Sequence, residues 1–141
     1  GATGATGASG IVRTLDFTGS WTDSINNMNY VVPAACRTAA YTAGANEVAL
    51  IHLNGWAQLA TDDFLEMGPI AFVGATPNII GSAVDFVATS NTVGSVHLSV
   101  RMPLTAGSSY MFASGFGMPS GTATMTVNQA QCSGTVTIVR N

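Results

Sequence analysis

From Ile11 to Arg140 apolar residues recur at every second position in run after run, and no stretch repeats them at i, i+3, i+4, i+7 as a helix face requires. Ser95 to Met102 is the clearest case: Val96, Leu98, Val100 and Met102 alternate with Ser95, His97, Ser99 and Arg101. Thr122 to Asn128 alternates in the same way, and Thr135 to Arg140 closes the chain as a further strand. Successive strand side chains point to opposite faces, so each run has one side for a core and one for water. About eight such runs, 8 to 13 residues apart and separated by Gly, Pro and Asn turns, predict an all-β fold. The class expected is an antiparallel β-sandwich of jelly-roll type.

The remaining runs fill in that plan. Ile11, Leu15 and Phe17 share one parity and start the first strand. Gly19 to Pro33 is polar and Asn-rich and reads as a long surface loop, with a short strand around Tyr30 to Val32. Glu47 to Ala60 is the longest strand: Ala49, Ile51, Leu53, Gly55, Ala57 and Leu59 face a core. Its other face, Val48, Leu50, His52, Asn54, Trp56 and Gln58, has the mixed character of a subunit interface. Thr61 to Glu66 reads as an acidic turn, and Pro77-Asn78 as the turn between apolar runs at 68–74 and 83–89. Ser109 to Phe116 is apolar on both faces, hence central or at an interface.

At 141 residues the chain has room for one core, and 47% of it is hydrophobic against only 8% charged. Lysine is absent; Arg13, Arg37, Arg101 and Arg140 face seven acids for a net charge of -3. Without a basic stripe to neutralise phosphates, nucleic acid is excluded as a partner. No apolar run reaches 18 residues, so membrane insertion is not expected, and the opening glycine suggests a processed or truncated product. Cys36 and Cys132 lie 96 residues apart with no CxxC spacing. A disulfide in an extracellular compartment is the better reading, and two buried thiols in a cytosolic protein the rival.

Glycine occupies positions 1, 4, 7 and 10, the period that a collagen triple helix demands because only a hydrogen fits at its axis. A flexible Gly/Ala/Thr tether is the alternative. Residues 1–10 are therefore expected to be the end of a stalk or linker, and 11–141 a single head domain.

These triplets, with the phrases Ala106-Gly107-Ser108-Ser109-Tyr110-Met111-Phe112 and Cys132-Ser133-Gly134-Thr135-Val136-Thr137-Ile138-Val139, resemble collagen-like surface proteins and tail-fibre proteins of bacteria and their phages. In that group Gly-X-Y repeats end in a trimeric jelly-roll head akin to the complement-component and tumour-necrosis-factor family. The resemblance implies a homotrimer on a cell surface or virion, with Trp56, Tyr110 and Phe112 as candidates for the three-fold axis. Ordinary single-chain core is the other reading of those three residues. It also implies a receptor, with carbohydrate best suited. Trp21, Asn26, Asn27, Asn29 and Tyr30 would then supply an aromatic face and neutral amides, unless Trp21 merely anchors its loop. The alternative is a filament subunit in which Gly1 to Phe17 leaves to complete a neighbour's sheet.

Catalysis has little to stand on. His52 and His97, with Asp85 as an orienting acid, are the only candidate bases, and no Gly-x-Ser-x-Gly selects a serine. Asp62, Asp63 and Glu66 form the one acidic cluster, a candidate for Ca²⁺ that lacks EF-hand spacing. The seven scattered acids do not argue for the paired carboxylates of a glycosidase. No enzyme activity and no cofactor are expected.

Overall fold

The computed structural model describes residues 10–26, 30–60, 63–88, 93–118 and 124–141, with the backbone alone for Asp63. The glycine-spaced triplets of residues 1–9, Gly-Ala-Thr twice and then Gly-Ala-Ser, lie outside them. In chain order the strands are β1 (Gly10–Trp21), β2 (Ile25–Asn26), β3 (Tyr41–Thr42), β4 (Glu47–Leu59), β5 (Asp63–Val73), β6 (Thr76–Ile79), β7 (Val84–Ala88), β8 (Gly94–Pro103), β9 (Ser109–Gly117), β10 (Thr124–Met125) and β11 (Val127–Arg140). A single 3₁₀ turn, Ala34–Cys36, is the only helical element among the described residues.

Two sheets face one another. One has the order β1-β11-β4-β8, the other β3-β9-β5-β6 with β7 also paired to β5, and β10 pairs β2 at the side. All pairings are antiparallel. Leu15, Phe17, Leu53, Val136 and Ile138 of the first sheet meet Leu65, Met67, Phe112 and Phe116 of the second in one core. Trp21 closes its end against Phe116, ring centroids 4.5 Å apart. Gly55 lets the sheets approach there, since a Cβ on it would sit 3.2 Å from Met67 Sδ and 3.3 Å from the Phe116 ring.

The Cys36–Cys132 disulfide forms, with a Cα–Cα distance of 5.7 Å, and ties the segment beside β9 to the middle of β11. Both cysteines are buried.

Several sequence expectations need correction. A register shift between Ile11 and Arg13 inverts the parity at the start of β1, leaving Ile11 73% exposed while Val12 packs against the core. β1 runs on to Trp21, so the surface loop begins later than Gly19, and at Tyr30 to Val32 there is only an isolated bridge, Val31 to Phe116. Asp63–Val73 is a strand, which shortens the acidic turn. Pro77 and Asn78 lie inside β6, an edge strand that tolerates proline, and the chain reverses instead at Gly74, whose φ is 63°. Of the expected strand Thr122–Asn128, Thr124–Met125 is the separate β10 and Val127 and Asn128 open β11, which runs on to Arg140 and contains the expected Thr135–Arg140 strand. Finally, Gly10 to Phe17 pair with β11 of their own chain, so the strand-donation alternative loses the strand it would donate.

Candidate functional site

The two outer faces differ in what covers them. On the β3-β9-β5-β6 sheet, Ile70, Phe72 and Ala113 form a second small core with Val32 and Met111 packed on it. Arg37 lies over the Phe72 ring at 4.8 Å, and Tyr30 fills a trough beside Gly68, Gly115 and Gly117. Around Tyr30 and Arg37 that face is closed by its own chain, whereas Phe64, Val87 and Ile79 on it remain more than half exposed.

The outer face of β1-β11-β4-β8 has no such cover among the described residues, and its register resolves it into rows. At the end where Gly10 enters, Ile11, Val139, Val48 and Pro103 are neighbours, all apolar. Then follow Thr14, Thr137, Leu50 and Arg101, and next Asp16, Thr135, His52 and Ser99. Further along come Thr18, Ser133, Asn54 and His97, and last Ser20, Gln131, Trp56 and Ser95. Formal charge on these rows is confined to Asp16 and Arg101.

The last two rows, apart from Ser20, wall a cleft of about 330 Å³. Its floor is the backbone of the intervening row, Cys132, Gly55 and Val96, and the Cys132 and Val96 side chains are buried in the core. The disulfide and the contact of Gly55 with the second sheet fix that floor. Trp56 is half-buried, and no Asp, Glu, Lys or Arg lines the cleft. A second depression, beside Leu50, His52, Ser99 and Arg101, lies on the same face.

The residues singled out from the sequence fall in several places. Trp21 is 4% exposed, its ring against Phe116 and its Nε1 buried without a hydrogen-bond partner among the described residues, so it presents no face to a sugar. Tyr30 is likewise spent on packing: its hydroxyl donates to Glu66 Oε1 at 2.7 Å. Burial, then that bond and the Glu66 and Asp85 charges, hold the phenol well above its ordinary range. Asn26 is exposed and accepts a 2.8 Å bond from Thr124 Oγ1, while Asn27 and Asn29 lie outside the described residues. The expected aromatic sugar platform at 21–30 is therefore absent from Trp21 and Tyr30.

Tyr110 and Phe112, expected at a three-fold axis, are 4% and 0% exposed and belong to the core of the single chain. Of those three candidates only Trp56 faces outward, at the end of the sheet away from Gly10. His52 shares a 2.7 Å hydrogen bond between Nδ1 and Ser99 Oγ, in the open. Asp85 pairs with Glu66 in the opposite sheet and orients neither histidine. In the acidic cluster Glu66 is taken by Tyr30, whereas Asp62 and the Asp63 side chain lie outside the described residues. No group of three metal-ligating side chains occurs among the described residues. Sequence reasoning missed Asn54, His97, Gln131 and Ser133 as a group, because only strand register brings them together.

No protein-family model matches the sequence, and no curated protein matches it. Among solved structures, the chain is similar to the globular domain of zebrafish complement 1qA, with a TM-score of 0.54 and 12% identity over 91% of this chain and 98% of that one. It is also similar to Eiger TNF from S. frugiperda, with a TM-score of 0.50 and 10% identity over 91% and 93%. At these identities the likeness is one of fold, and the fold is the antiparallel jelly roll.

Proposed function

We propose that this jelly roll is the self-associating, receptor-binding head of a glycine-spaced stalk, working outside the cell as part of a cell surface or virion. Glycine at 1, 4, 7 and 10 supports the stalk, and a buried disulfide supports the oxidising compartment. Three chains are the number a collagen-like stalk needs, and the complement 1qA and TNF folds that this chain resembles are consistent with such a head.

The observation that carries the reading is the apolar row Ile11, Val139, Val48 and Pro103 on the uncovered sheet, at the end where Gly10 meets Arg140. Ile11 is 73% exposed and Val139 and nearby Leu50 are half-buried, so a single chain leaves apolar surface beside the point where three stalks would converge. Val48 is already 3% exposed in the single chain, so packing against a copy would remove Ile11, Val139 and Pro103 from water and set the chain number. Binding rather than catalysis fits a face whose histidines have no acid partner among the described residues.

Light scattering on the full chain tests this. A discrete species of three times the 14.4 kDa chain mass is expected, and Ile11→Glu with Val139→Glu should yield folded single chains. A monodisperse single-chain species of the wild type at high concentration would overturn it.

A further inference from the structure

We infer that the cleft around Trp56 binds a neutral saccharide, an inference that rests on the receptor-binding reading above and gives it a site. An indole offers a flat apolar face for the C–H face of a pyranose, and amides and hydroxyls meet its hydroxyl groups as both donors and acceptors. Trp56 supplies the first. Asn54, Gln131, Ser133, Ser95 and His97 supply the second from three adjacent strands.

Three features favour this ligand class over others. The cleft's volume, about 330 Å³, lies within the range of small-ligand sites. Among the described residues none of those five polar side chains is engaged in a hydrogen bond, unlike His52 with Ser99 one row away or Gln129 with Gln58 beyond Trp56. With no Asp, Glu, Lys or Arg in the lining, a sialylated, sulfated or phosphorylated ligand would bring a charge that nothing here compensates.

Position and rigidity agree. Trp56 is eight residues along β4 from Val48, about 25 Å from the apolar row at strand rise, so a ligand and a neighbouring copy can use opposite ends of one face. The floor is held by the disulfide at Cys132 and by Gly55 against Met67, so the walls need little ordering when a ligand arrives.

Tryptophan fluorescence reads the site directly, because the chain has two tryptophans and Trp21 is buried. In a Trp21→Phe variant, glucose-, galactose-, mannose- and N-acetylglucosamine-terminated oligosaccharides are titrated to about 10 mM, beyond the range of weak small-ligand affinity. Sialylated and sulfated counterparts are run beside them. At least one neutral probe should give a saturable shift, with the charged counterparts about tenfold weaker or worse.

On a glycan array, which needs no Trp21 variant, Trp56→Ala and Asn54→Ala should lose that binding while melting temperature and light-scattering mass stay unchanged. Silence from every neutral saccharide, equal binding of charged ones, or undiminished binding by Trp56→Ala would overturn the inference. If Trp56→Ala instead releases single chains, the cleft is a subunit contact: the saccharide site falls and self-association stands. Saccharide binding by a wild type that is a single chain sinks self-association and leaves the site.

Discussion

The hydroxyl of Tyr30 donates a 2.7 Å hydrogen bond to the Glu66 carboxylate, joining the segment before the first cysteine to β5 across the outer face of the second sheet. Its ring lies where side chains at Gly68 and Gly117 would be; a Cβ on Gly117 would come within 2.7 Å of Tyr30 Cδ1. Removing the hydroxyl in Tyr30→Phe keeps the packing but loses a bond to a charged acceptor, a cost of about 1.5 kcal/mol. Gly117→Ala keeps the bond but displaces the ring, at about 1–3 kcal/mol for overpacking. Chemical denaturation should find both less stable than wild type, with unchanged m-values; an indifferent Gly117→Ala would show that Tyr30 does not hold this position.

On the first sheet, Phe17 stands opposite Gly134 and uses the space a side chain would take: a Cβ there would lie 2.4 Å from the phenyl ring and 2.9 Å from Leu53. Neither neighbour is the free end of a flexible chain, so Gly134→Ala must move Phe17, a buried core residue. A loss of about 2–3 kcal/mol is expected. The double variant Gly134→Ala with Phe17→Leu should recover part of it, and simple additivity in the double-mutant cycle would refute the coupling.

How much of this was readable beforehand follows from range along the chain. The inward faces of β4 and β8 are local alternation, and Ala49, Ile51, Leu53, Ala57, Leu59, Val96 and Leu98 are buried as the pattern requires. Trp21 continues the parity of Leu15, Phe17 and Gly19, a signal masked by the Asn-rich sequence after it. The bulge at Ile11 has no local signature, since it exists only in the register with β11. The cleft is the extreme case: Thr18, Asn54, His97 and Ser133 meet through three strand pairings whose registers no single segment encodes.

The disulfide closes a loop of 96 residues and links the sandwich's edge to β11. In the chain-entropy description such a loop is worth about 4.7 kcal/mol, with about 2–5 kcal/mol typical when a native bridge is removed from a small domain. Cys36→Ala with Cys132→Ala should therefore melt well below wild type, and wild type in reductant should approach it. An unchanged melting temperature under reductant, with the bridge shown to be open, would remove the case for an extracellular compartment.

At the end of the first sheet where Gly10 meets Arg140, Glu47 is 2% exposed and receives hydrogen bonds from the Tyr41 hydroxyl at 2.6 Å, the Gly44 N–H at 2.7 Å and Arg140 Nη2 at 3.1 Å. Burial alone would raise its carboxyl, but the three donors together outweigh that and hold it below the usual carboxylate range. A depressed folded-state pKa means the unfolded chain binds the proton first. The contribution is thus present above about pH 4.3, the unfolded value, and is lost as pH falls through the folded one. Glu47→Gln removes the charged acceptor and should cost about 1–2 kcal/mol at pH 7. Melts from pH 7 to pH 3 should show the gap between Glu47→Gln and wild type narrowing below about pH 4.3. A gap that stays constant over that range would mean the carboxylate's charge has no part in holding β4 to the chain's last strand.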